Sequence, residues 1–140
     1  PWLRDRVTRQ GDLSHYNSCN VLSLHALLGA YSDEGAQWLD ELRPVLADNI
    51  RYACEFIAAH FPGVQVMQPQ GTYMLFLDCA AWLQEHHMTL RELEERGARA
   101  GVIWQDGAAF AWPDSIRMNL ALPHSRLVEA MERLRVHAFC

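Results

Sequence analysis

Ile116-Arg117-Met118-Asn119-Leu120-Ala121 decides how this chain folds. Side chains alternate along a strand. Ile116, Met118 and Leu120 therefore share one face, and Arg117 and Asn119 share the other. The apolar set asks for a core. The opposite set puts a permanent charge on the other side of the same strand, where a buried position needs a partner. A guanidinium is a planar fork that fits a carboxylate or a phosphate with two parallel hydrogen bonds. Spacing alone leaves two readings of Arg117 open: an anion clamp, or an arginine on the wet face of a half-covered sheet.

Working outward, Tyr73-Met74-Leu75-Phe76-Leu77-Asp78 reads as a second strand, apolar on both faces and entered through Pro69-Gln70-Gly71-Thr72. Val102-Ile103-Trp104 reads as a third, closed by the turn Gln105-Asp106-Gly107. Val64, Val66 and Met67 make a short strand before them. Thr89-x-x-Glu92 is a capping box that opens a helix through Arg99, stopped by Gly101. A last helix follows Pro123, with Leu127, Met131, Leu134 and Ala138 on one face. The expected fold is α+β: a small, mainly antiparallel sheet covered by helices on one side.

Upstream, Asn20 is placed to cap a helix through Tyr31. That helix carries Val21, Leu22, Leu24, Leu27, Leu28 and Tyr31 around most of its circumference, so burial on several sides is expected. Ser32 and Asp33 open a long helix that ends at Pro62-Gly63 and contains Pro44, where a kink is expected. Residues 1 to 19 are polar and mixed, with Gly11-Asp12 as a breaker, and are read as loosely held.

Three stretches resemble the small, C-terminal domain of the class I/II aminotransferases, the fold type I enzymes that use pyridoxal phosphate. Pro69-x-Gly71-Thr72-Tyr73-Met74 with Asp78 is similar to the family's P-x-G-T-Y-L strand. Asp106-Gly107-x-x-Phe110 is similar to its turn after the edge strand. Arg117-x-Asn119-x-Ala121-x-Pro123 is similar to its R-x-N strand end. Gly35-x-x-Trp38-Leu39-x-x-Leu42 with Asn49 further resembles the C–S β-lyase branch, whose best-known member is cystathionine β-lyase. In one respect the chain departs from the pattern. The family usually has a glycine after the aromatic and a glycine-rich loop before the arginine. Here that stretch is Ala111-Trp112-Pro113-Asp114-Ser115.

The resemblance implies that Arg117 binds the α-carboxylate of an amino-acid substrate and that Tyr73 faces the same pocket; the residues alone leave Tyr73 open as a sheet tyrosine packed against Leu75 and Leu77. Asn119, on the face of Arg117, either braces the guanidinium or is a solvent-exposed polar residue of the strand. Trp104 and Trp112 either line the pocket or pack. The resemblance also implies a homodimer and pyridoxal phosphate as cofactor, with transamination and β-elimination both open. Residues 1–43 are then linker helices that join a large domain, and 44–140 the small domain. That cofactor is held as a Schiff base by a lysine amine. The chain contains no lysine: all twelve Lys+Arg residues are arginine. With a proline as first residue, this leads to the expectation of a piece lying downstream of the lysine and inactive alone. No catalytic residue and no cofactor contact is assigned within it. The alternative is a stand-alone α+β ligand-binding or oligomerisation module.

Composition narrows the classes further. With 140 residues, half of them hydrophobic, the chain can bury a real core. A formal charge of −5 carries no basic footprint for nucleic acid. No apolar run reaches the length of a membrane span. Cys19, Cys54, Cys79 and Cys140 are widely spaced with no C-x-x-C pair, as expected of reduced thiols in a cytoplasmic protein. His86 and His87 have no third ligand at metal-site spacing and are read as a solvated loop.

Overall fold

The computed structural model describes residues 1–14 and 20–140; Cys19 lies outside them. The chain divides into two compact units, Pro1–Leu42 and Arg43–Cys140.

The first unit is helical. Helix α1 spans Trp2–Ser14, running through Gly11-Asp12, so the expectation of a loose start is corrected for residues 2–14. An interior glycine weakens a helix by roughly 1 kcal/mol but does not by itself end one. Helix α2, Val21–Ala30, is capped by Asn20, whose Oδ1 accepts from the Ser23 amide at 2.8 Å. None of its residues is buried, contrary to the expectation from its apolar circumference. At the following corner Ser32 Oγ donates to the Gly29 carbonyl and accepts from the Gly35 amide. Helix α3, Asp33–His60, begins there and continues past Pro44, which lies inside the helix without ending it.

In the second unit four strands, β1 (Gln65–Val66), β2 (Met74–Asp78), β3 (Gln105–Asp106) and β4 (Ser115–Asn119), form one sheet in the order β1-β2-β4-β3. Every neighbouring pair is antiparallel. Helices α4 (Ala80–Glu85), α5 (Leu90–Arg99) and α6 (His124–His137) complete it. Leu75, Leu77, Ile116, Met118 and Leu120 are buried on the core face with Ile50, Ala53 and Ile57 of α3 and Leu127, Met131 and Leu134 of α6. Phe61 stacks on Phe139 at 4.3 Å, with Trp82 edge-on to Phe139. Each such side chain, fully buried, is worth about 1.5–3 kcal/mol before entropy.

The capping box of α5 forms in full. Thr89 Oγ1 accepts from the Glu92 amide and Glu92 accepts from the Thr89 amide at 2.8 Å. Gly101, at a φ of +79°, turns the chain out of the helix. The third strand is displaced from its expected place. Val102-Ile103-Trp104 is not in the ladder, and the pairing residues are Gln105 and Asp106, which were read as the turn. Trp104 explains the shift: its ring lies so close to Gly97 of α5 that a Cβ there would stand 2.1 Å from it. The segment thus packs along the helix before it can reach β4. The short helix α4 was not foreseen. It starts where the Asp78 carboxylate accepts from the Ala80 amide at 3.0 Å, and His86, read as loop, ends it stacked on Trp82.

Candidate functional site

Antiparallel register lines up one cross-strand row on the face away from the core. Phe76 of β2 stands opposite Arg117 of β4, and Arg117 stands opposite Gln105 of β3. Directly opposed residues on one sheet face touch. Accordingly Arg117 Nη1 donates to Gln105 Oε1 at 2.8 Å. The remaining guanidinium N–H groups make no hydrogen bond among the described residues, and the side chain is only part-buried.

A fourth residue completes the arrangement. Phe110 lies under the guanidinium, with Arg117 Cζ 4.6 Å from its ring centroid, and edge-on to Phe76 at 5.6 Å. A cation over an aromatic face is attracted by about 0.5–1 kcal/mol where exposed, more where dry. The turn motif explains how Phe110 gets there. Asp106 Oδ1 accepts from the Ala108 amide at 2.8 Å and caps a single 3-10 turn, Gly107–Phe110. Gly107 is obligatory, since a Cβ would meet Ser115 Oγ at 1.8 Å. Asp106, Gly107 and Phe110 thus form one device that folds an aromatic ring onto the arginine.

The loop after it lacks the glycines, yet adopts backbone that favours them. Ala111 has a φ of +60° and Asp114 of +59°. Left-handed backbone is uncommon outside glycine and costs of order 1 kcal/mol or more. Thr72 has a φ of +69° at the entrance to β2; for a β-branched residue that is a true outlier. Such strain collects where surrounding structure must hold a particular geometry.

The sequence-predicted residues separate here. Arg117 and Asn119 do share the off-core face. Asn119 does not brace the guanidinium, however: its Oδ1 accepts from the Ala121 amide at 2.8 Å, and Gln105 holds the arginine instead. Tyr73 sits one residue before β2. Its carbonyl accepts from the Leu120 amide at 2.9 Å, and its side chain is 42% exposed. No hydrogen bond or ring contact links it to Arg117. Trp112 is exposed. Nothing in the sequence marks Gln105 or Phe76 for a role, and Phe110 is marked only as part of the turn motif. Gln105 could not be found without the register of β3.

Two of the described thiols are held away from the thiolate form. Burial, then the neighbouring Asp78 and Asp114 carboxylates, pushes Cys79 up to about 12, far from the thiolate character that reactivity needs. Burial and Glu55 also raise Cys54. Among the described residues no group of three or more His, Cys, Asp or Glu side chains converges as for a metal ion, and no helix is long and apolar enough to cross a membrane.

The profile of the family "Aminotransferase class I and II" matches residues 9–134, and the chain belongs to that family. It is 32% identical over 122 residues to Protein MalY of Escherichia coli, covering 84% of this chain and 30% of that protein. It is 34% identical over 131 residues to cystathionine beta-lyase of Corynebacterium glutamicum, covering 91% and 31%. The crystal structure of cystalysin from Treponema denticola, which contains pyridoxal 5'-phosphate, superposes on 97% of this chain and 34% of its own, with a TM-score of 0.80 and 27% identity. The chain thus spans about a third of the length of these relatives.

Proposed function

We propose that this chain forms the carboxylate-binding part of a pyridoxal-phosphate-dependent C–S β-lyase or aminotransferase acting on amino acids. Residues 1–43 serve as linker helices and 44–140 as the small domain of a cytoplasmic homodimer. The observation that carries the reading is the geometry of Arg117. One nitrogen is tied to Gln105 and the flat of the guanidinium lies on Phe110, while its other donors make no hydrogen bond among the described residues. A fork held in this way is pre-organised for a carboxylate, because little freedom remains to be lost on binding. Its role is to orient the amino acid, so that the substrate's Cα is presented in one pose. Tyr73, at the strand entrance, is the neighbour proposed to border the substrate.

The cofactor belongs to the proposed whole protein, not to these residues. With no lysine in the chain, nothing here can hold pyridoxal phosphate covalently. The likeness to cystathionine beta-lyase supports a cystathionine-like amino acid as substrate.

The test is Arg117→Ala in the lysine-containing protein that carries this segment. Loss of a charge-assisted two-point contact costs about 2–4 kcal/mol, so kcat/KM for the amino acid is expected to fall by roughly two to three decades. Cofactor absorbance and folding are expected to persist, since Arg117 lies off the core face. Loss of stability with kcat/KM unchanged would return Arg117 to an ordinary sheet residue.

A further inference from the structure

Asn49 of α3 is polar and fully buried. Its Nδ2 group donates to the carbonyl oxygens of Leu120 and Leu122, each at 2.9 Å. Its Oδ1 lies 3.0 Å from His124 Nδ1. These contacts determine each other. Carbonyl oxygens only accept, so the amide nitrogen must face them. The amide oxygen must then accept, which places the His124 proton on Nδ1.

The two carbonyls lie just past β4, which ends at Asn119. One residue further the Leu120 amide still donates to the Tyr73 carbonyl at 2.9 Å, and past it the two carbonyls are met by the Asn49 amide. Asn49 therefore stands in for a neighbouring strand. An apolar residue would fill the same volume but leave the Leu122 carbonyl without its donor and the Leu120 carbonyl with the Leu122 amide alone. Leu120 is three residues past Arg117 and one past the end of β4.

We infer that Asn49 is a positioning residue for Arg117 and that His124 orients Asn49. The buried amide fixes the end of the strand, and with it the place of the guanidinium over the sheet. This rests on Arg117 being the carboxylate ligand.

Two measurements test it. In the chain itself, Asn49→Ala is expected to move the NMR signals of the Arg117 Nε–H and the Gln105 side-chain amide. The backbone amides of Gln65 and Val66, across the sheet in β1, are expected to stay in place. Movement of all of these signals, or of none, overturns the inference. His124→Ala, which leaves Asn49 in place, is expected to produce the same pattern more weakly. His124→Asn, whose amide can restore a donor near Nδ1, is expected to reverse it. If Asn49→Ala does not fold, the histidine pair decides.

In the whole protein, Asn49→Ala is expected to raise KM for the amino acid by about tenfold with kcat within about twofold. In an Arg117→Ala background the same change is expected to alter KM by less than about twofold. An equal rise in both backgrounds shows that Asn49 does not act through Arg117, and overturns this inference alone. No change in KM from Arg117→Ala itself would overturn the carboxylate reading instead.

Discussion

Ala111 shows how a single side chain can cost this fold stability. Its φ of +60° is where glycine is at ease and alanine is not. Ala111→Gly should therefore stabilise the second unit by up to about 1 kcal/mol, less the flexibility a glycine adds to the unfolded chain. For a domain of this size that is a rise in Tm of about 4–8 °C at most. Thermal unfolding followed by circular dichroism measures it, and a lower Tm would mean that the left-handed loop is not the native one. The same scale shows what could be read from letters alone. The alternation of Ile116, Met118 and Leu120 against Arg117 and Asn119 is borne out, because a period of two is intrinsic to a strand. The partner of Asn119 was not legible. A side chain that can reach a neighbour across the face can also turn back on its own backbone two residues on, and asparagine commonly does. Asn49 was legible only as part of a likeness, since its contacts lie 71 and 73 residues away.

Local signals served the helices better than the strands. The Asn20 cap, the Thr89–Glu92 box and the Gly101 stop each satisfy backbone groups within a few residues, so sequence spacing suffices to find them. Strand β3 depends on where Trp104 packs and on the register with β4, neither of which is local. The capping box carries a pH signature. Hydrogen bonds from the Thr89 backbone and side chain hold Glu92 below the ordinary carboxylate range. A lowered folded value contributes stability that is fully present above the unfolded value and is lost as pH falls through the folded one. The Tm difference between the wild type and Glu92→Gln should thus be largest near neutral pH and shrink toward pH 3 in roughly the window where carboxylates titrate. A difference that stays constant with pH would mean that the carboxylate's charge contributes nothing to the box.

At the scale of the whole molecule, the α+β fold was visible before any coordinate, because the order of strands, turn motif and final helix is a linear property. The face proposed to meet substrate was visible only in part. Gln105, Phe76 and Phe110 meet Arg117 through sheet register and a folded turn, and neither is written in consecutive letters. The absence of lysine is a whole-chain property with a direct consequence. Incubation of the chain with pyridoxal phosphate and borohydride should leave no adduct on any side chain by mass spectrometry, reaction at the amino terminus aside. A stoichiometric internal adduct would contradict the assignment of the cofactor to residues outside this chain. The central claim is that Arg117 recognises a carboxylate, and the most direct test is to remove that carboxylate from the substrate. In the lysine-containing protein, kcat/KM is compared for an amino acid and for its carboxamide, with and without Arg117→Ala. The account predicts that wild type favours the acid by roughly a hundredfold and that the variant hardly distinguishes the two. A variant that loses activity equally on both substrates, keeping the wild-type preference for the acid, would contradict it.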